Sequence, residues 1–164
     1  MNDGKKYAVI GSNCFTGSHI VDALLAEPKA EVLGISRSEE YRPVFLPYKA
    51  RVSAAFRFSQ LDMVRQGSEV MALLDEFRPD VIVNVAALSE VGLSNRNPNE
   101  YIAINTASVV RLCNELRSRD YLQQYVHISS AEIFGSCEEP LTEEALFNPS
   151  TPYAVSKAAA DMYL

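Results

Sequence analysis

The sequence has 164 residues, 48% hydrophobic and 22% charged, with a formal net charge of −6. That length suits one ordinary domain, which buries a core without disulfide or metal staples, and the balance excludes a disordered or collagen-like chain. Ten Arg and five Lys are scattered rather than clustered, no apolar run reaches a membrane span, and Cys14, Cys113 and Cys137 lack metal-ligand spacing. The expectation is a cytoplasmic protein with no metal, no membrane and no nucleic-acid partner.

Short apolar runs alternate with amphipathic stretches along the chain. Tyr7 to Ile10 predicts a first strand ending at Gly11. Gly17 to Ala26 predicts a helix, with Ile20, Val21, Leu24 and Leu25 on one side and Pro28 closing it. Glu31 to Ser36 and the weaker Ala54 to Phe58 predict the second and third strands. Ser68 to Phe77 predicts a helix with Val70, Leu74 and Phe77 on one stripe, before Pro79. Val81 to Val85 is β-branched and nearly continuous, as in a strand covered on both faces. Asn99 to Arg119 predicts the longest helix, with Tyr101, Asn105, Val109, Leu112 and Leu116 at helical spacing. Tyr125 to Ile128 predicts a fifth strand, and a last helix begins near Pro152. Strict alternation of strand and helix predicts an α/β fold, a Rossmann-type doubly wound parallel sheet.

Ligands of that fold lie beyond the carboxyl ends of the strands, which singles out 11–17, Ser36-Arg37, Asp62-Met63, Ala86 to Leu88 and Ser129 to Glu132. The turn Gly11-Ser12-Asn13-Cys14-Phe15-Thr16-Gly17 ends a strand and opens a helix on glycines. A helix N-terminus offers free N–H groups and a positive dipole end to a pyrophosphate. After the second strand Ser36 stands where an acid would bind a ribose 2′-hydroxyl, and Arg37 follows. That pair suits a 2′-phosphate, so NADP is expected ahead of NAD; Arg37 reads equally as a solvated surface charge. Tyr153 and Lys157 stand at i and i+4, on one helix face. A cation beside a phenol favours the phenolate and makes it a usable base.

Together these residues resemble the extended branch of the short-chain dehydrogenase/reductases, over essentially the whole chain. The likeness rests on Gly11-x-x-x-Phe15-x-Gly17, Asp62-Met63, Asn84-x-Ala86-Ala87 and Ser94-x-x-x-Pro98-x-x-Tyr101-x-x-x-Asn105. It continues through Ser129-Ser130-Ala131-Glu132-Ile133-Phe134-Gly135, Pro140-x-x-Glu143 and Pro149-Ser150-Thr151-Pro152-Tyr153-Ala154-x-Ser156-Lys157-Ala158. It is most similar to nucleotide-sugar epimerases and dehydratases of the GDP-mannose 4,6-dehydratase type. The resemblance implies that Tyr153 takes a sugar hydroxyl proton as hydride leaves C4 for the nicotinamide. It implies that Lys157 holds the ribose and assists the phenol, Ser130 bonds the reacting oxygen, and Glu132 removes the C5 proton before water leaves C6. Glu132 reads otherwise as a solvated loop carboxylate.

The cofactor set this implies is Gly11, Asn13, Cys14, Phe15, Thr16, Gly17, Ser36, Arg37, Asp62, Met63, Ala86, Ala87, Leu88, Asn105, Ser129, Tyr153 and Lys157. The nucleotide-sugar substrate falls to Ser89, Glu90, Ser130, Ala131, Glu132 and Tyr153. Three departures stand out. Cys14 replaces the middle glycine of the turn, where a Cβ crowds the pyrophosphate and a positive φ is costly. Ala131 stands where many dehydratases carry Asp or Ser, and Glu90-Val91-Gly92 where many relatives read His-Val-Asp. His19 and His127 read as packing or surface residues, and Cys113 as core.

The expected function is a nucleotide-sugar 4,6-dehydratase. An epimerase or decarboxylase is the alternative within the family, and a non-catalytic NADP-sensing or interaction protein is the alternative outside it. Relatives often dimerise through the helices that here span 99–119 and 152–164. The chain stops at Asp161-Met162-Tyr163-Leu164 on a helix face with no stop signal. The expectation is therefore that 1–164 is the dinucleotide-binding domain of a longer enzyme, truncated after the Tyr-Lys helix, without its substrate lobe and inactive alone.

Overall fold

The computed structural model describes residues 4–51 and 54–164. Five strands form one sheet: β1 (Lys6–Ile10), β2 (Glu31–Ser36), β3 (Phe56–Gln60), β4 (Val81–Asn84) and β5 (Gln124–His127). Their order is β3-β2-β1-β4-β5 and every pairing is parallel. The order reverses at β1, which puts β2 and β4 on either side of the first strand, the switch point of a Rossmann-type sheet.

The residues divide into two compact units. The first runs to Ala86 and includes Glu115–Ile128, and so holds the whole sheet. Here α1 (Phe15–Leu24) follows β1 and α2 (Gly67–Phe77) follows β3. Tyr7 and Val9, Val32, and Val81 and Val83 join Val21 of α1 in one buried cluster. Ala8, Ile10, Leu33, Ile35 and Ile82 alternate with them, point to the opposite face and are equally buried. A sheet apolar on both faces explains why these strands read as continuous hydrophobic runs.

Three sequence expectations shift. The crossover from β2 to β3 is two 3-10 turns, Pro43–Phe45 and Pro47–Ala50, rather than a helix. Each begins on a proline, which lacks the N–H an interior helical position needs. Strand β3 lies two residues beyond the apolar run Ala54 to Phe58, because Ser59 and Gln60 pair with Ile35 and Ser36. The helix α1 starts at Phe15, ahead of the glycine expected to open it.

The second unit holds Ala87–Asn114 and Ser129–Leu164. It contains α3 (Val91–Ser94), α4 (Pro98–Tyr101), most of α5 (Ser108–Leu116) and α6 (Pro152–Tyr163). The stretch read as one helix over 99–119 is α4 and α5 joined by a π-helical turn, Ile102–Ala107. The expected stripe is real: Tyr101, Asn105, Val109, Leu112 and Leu116 are all buried. Helix α6 opens on Thr151, whose hydroxyl accepts from the Ala154 N–H, with Pro152 in the first turn. Among the described residues no helix is long and apolar enough to cross a membrane, and no group of three or more His, Cys, Asp or Glu is placed to hold a metal.

Candidate functional site

The sheet unit carries the residues expected to hold a dinucleotide. Gly11 leaves β1 with φ +91, and its N–H donates to the Ile35 carbonyl at 2.7 Å. A Cβ there would stand 2.7 Å from the Ala86 nitrogen. At Gly17 a Cβ would stand 2.2 Å from the Gly11 carbonyl oxygen. Two glycines thus bring the end of β1, the start of α1 and the Ala86 backbone closer than any side chain permits.

Between them Cys14 caps α1. Its φ is −74, and its Sγ accepts from the Gly17 N–H at 3.2 Å. The positive φ expected to make this side chain costly does not occur, because the backbone there is extended rather than left-handed. Phe15 and Thr16 are exposed, and the Phe15 ring packs on His19 with centroids 4.5 Å apart.

Asn13 is buried and ties the turn to the segment after β2: its Nδ2 donates to the carbonyls of Ser38 at 2.9 Å and Glu39 at 2.7 Å. Its Oδ1 is shielded and has no partner among the described residues. The Ser36 hydroxyl accepts from the Asn13 N–H at 3.0 Å, and Arg37 is exposed. Asp62 closes the turn after β3 by accepting from the N–H groups of Val64 and Arg65 at 2.8 and 3.2 Å, beside a half-buried Met63. Asn84, buried at the end of β4, accepts from the Ala86 N–H at 3.1 Å and donates to the Tyr125 hydroxyl at 2.9 Å. A narrow glycine turn at a helix N-terminus, with a buried acceptor left over beside it, fits a dinucleotide.

The second unit carries the residues expected to do chemistry. Asn105 is its polar centre. Its Oδ1 accepts from the Leu88 N–H, and its Nδ2 donates to the Leu88 carbonyl and the Ser156 hydroxyl, each at 2.9 Å. The Thr106 hydroxyl donates to the Ser156 carbonyl at 2.7 Å. These bonds fix α6 against the π turn. Tyr153 and Lys157 project one turn apart from α6, and both are buried. The Tyr153 ring meets Tyr101 edge-on, with centroids 6.3 Å apart, and the Tyr101 hydroxyl donates to the Glu90 carbonyl at 2.6 Å.

Burial pushes the Lys157 ammonium below its ordinary value, and the Asp161 carboxylate pulls it part of the way back. Ser130 caps a 3-10 turn over Ala131–Phe134, its Oγ accepting from the Glu132 N–H at 3.2 Å. An accepting hydroxyl keeps its own proton to donate. Ala87, Ser89, Glu90, Ala131 and Glu132 are exposed.

The fold therefore gathers Gly11 to Gly17, Ser36, Arg37, Asp62, Met63 and Ala86 in one unit. It gathers Ala87 to Glu90, Asn105, Ser129 to Glu132, Tyr153 and Lys157 in the other. Sequence reasoning missed Asp161, which accepts a hydrogen bond from the Ser129 hydroxyl. The signal was present, since Asp161 follows Lys157 by the same four residues that separate Lys157 from Tyr153.

Residues 7–164 match the family model described as the NAD dependent epimerase/dehydratase family. The chain is 34% identical to a UDP-glucose 4-epimerase of Mycolicibacterium smegmatis, over 95% of this chain and 49% of that protein. It is 31% identical to a GDP-mannose 4,6 dehydratase of Arabidopsis thaliana, over 90% of this chain and 43% of the relative. The chain spans about half the length of the curated relatives it matches over most of its own length. Among solved structures it superposes on the UDP-glucuronic acid 4-epimerase of Bacillus cereus in complex with UDP-glucuronic acid and NAD. The TM-score is 0.83 at 25% identity, covering 96% of this chain and 50% of that one.

The expectation of NADP is corrected by this comparison. That epimerase holds NAD, as do two further structures of it. The physical reason lies after β2. The Ser36 hydroxyl is buried and turned inward, accepting from the Asn13 N–H, rather than presented to a 2′-phosphate.

Proposed function

The chain belongs to the NAD-dependent epimerase/dehydratase family, and from that premise we propose that the protein oxidises C4 of a nucleotide-linked sugar and then eliminates water across C5 and C6. What carries the reading is α6, which holds a phenol and an ammonium one turn apart, both buried, in the same compact unit as a serine with a proton to donate. NAD, when bound, supplies the oxidant that accepts hydride from C4. The turn from Gly11 to Gly17, with Asn13 and Ala86, binds its pyrophosphate and adenosine part.

Tyr153 takes the C4 hydroxyl proton, and the Lys157 cation one turn away stabilises the phenolate that does so. Ser130 donates to the C4 oxygen and orients it. With a carbonyl at C4 the C5 proton is acidified. Glu132, exposed and two residues from Ser130, removes that proton and passes it to the C6 hydroxyl, which departs as water. The hydride taken from C4 would return to C6 and the Tyr153 proton to C5, so the net change is the loss of one water.

Epimerisation is the second reading, favoured by Ala131, which offers no acid for the C6 leaving group, and by the mycobacterial epimerase likeness. The test is to incubate the full-length protein with NAD and a panel of nucleotide sugars and weigh the products. Loss of one water identifies the dehydratase, and an isomer of unchanged mass the epimerase. Tyr153→Phe is expected to lower either rate by about 10²–10⁴-fold; undiminished turnover in that variant refutes the mechanism.

A further inference from the structure

We propose that Asp161 is a positioning residue for this chemistry: anchored by the Ser129 hydroxyl, it keeps Lys157 a cation one turn from Tyr153. The inference rests on the reading of Tyr153 and Lys157 as the proton-handling pair.

Three observations carry it. First, Tyr153, Lys157 and Asp161 recur every four residues on α6, so they share one face of the helix. Second, Lys157 is only 2% exposed. An ammonium withdrawn from water to that degree is held charged only by a compensating partner. Third, the Asp161 carboxylate is held from outside the helix, accepting from the hydroxyl of Ser129, the residue beside Ser130. A lysine followed by an acid at i+4 is the weaker orientation of such a pair, so a second tether has a purpose.

The charges on the elements packed against α6 do not replace Asp161. The π turn 102–107 has no ionisable residue. Beside α3 stands Glu90, on α4 stand Glu100 and Tyr101, on the 3-10 turn stands Glu132, and on α6 itself stand Tyr153 and Tyr163. Glu90 and Glu100 act on the Tyr101 phenol, which burial first of all pushes up. Asp161 acts on Lys157, raising it against the effect of burial. When Lys157 loses its proton, the phenol loses the cation that favours its phenolate, so Asp161 governs the base without touching the sugar.

The test is a pH titration of lysine labelled with carbon-13 at Cε, followed by NMR. The Lys157 signal is assigned among the five lysines by its loss in Lys157→Met. In Asp161→Asn the Lys157 midpoint is expected to fall by about one pH unit or more. In Asp161→Glu it is expected to stay in place, and in Ser129→Ala to fall by an intermediate amount. An unmoved midpoint in folded Asp161→Asn overturns the proposal. Should that variant fail to fold, an unmoved midpoint in Ser129→Ala overturns it instead. Titrating the wild type with NAD judges the underlying reading separately: no binding removes that reading, while the lysine midpoints still decide the role of Asp161.

Discussion

Replacing Gly17 by alanine tests whether the turn is as close as the geometry says. Alanine outranks glycine inside a helix by about 1 kcal/mol, and Gly17 lies in the first turn of α1, so propensity alone predicts a stabilised protein. The packing predicts the reverse. The added Cβ would stand 2.2 Å from the Gly11 oxygen and 3.1 Å from the Ser12 Cα, both backbone atoms. Neither has room to yield, because the Gly11 N–H is bonded to Ile35 and the Gly11 oxygen accepts from the Cys14 N–H at 3.1 Å. Overpacking costs about 1–3 kcal/mol, and backbone overlap of this depth belongs near the top of that range. The net expectation is a loss of about 2 kcal/mol, or about 1 M in the urea midpoint of a small domain. Gly92→Ala is the control: its Cβ would meet nothing within 4 Å, so it should gain up to about 1 kcal/mol. Urea unfolding followed by circular dichroism measures both. A Gly17→Ala protein as stable as the wild type refutes the argument.

Two further outcomes follow from the second unit. Because the Lys157 ammonium is pushed below its ordinary value of 10.5, the unfolded chain binds more protons between the two values and wild-type stability rises with pH there. Lys157→Met lacks that dependence, so its stability relative to wild type should fall as pH rises toward 10.5, and a difference in urea midpoints that stays constant across that range contradicts this. Asn105→Ala leaves both the N–H and the carbonyl of Leu88 without their partner, at a cost of about 3 kcal/mol. Hydrogen exchange at the Leu88 amide should then accelerate at least about tenfold; wild-type protection at that amide would count against the role given to Asn105.

The sheet was legible because both of its faces are buried: Tyr7, Ala8, Val9 and Ile10 could only be a covered strand. The third strand was displaced in the sequence reading because Ser59 and Gln60 look like loop, and only the main-chain pairing with Ile35 and Ser36 makes them strand. The glycine turn was legible from its spacing, whereas the part played by Cys14 was not. A thiol in place of glycine signals a strained φ until the backbone is known to be extended there and the sulfur to cap the helix. Ser36-Arg37 misled for a related reason, since a sequence names a hydroxyl without saying which way it faces. Asp161 was hidden as one more acid near a helix end, and its contact with Ser129 joins residues 32 positions apart.

The π turn at Ile102–Ala107 carries a further consequence, for chain length rather than chemistry. Such a turn holds one residue more than a regular helix needs, and everything after it is rotated accordingly. Deleting any single residue there would restore regular bonding but turn the following stretch by about 100°. Either Asn105 would leave Leu88, or Val109, Leu112 and Leu116 would leave the interior. Substitutions at Ile102 or Ala107 change a contact; a one-residue deletion changes the register of two functions at once. Apart from Asn105 and Thr106, this segment can change in composition but not in length, which is the opposite of what holds for a surface loop.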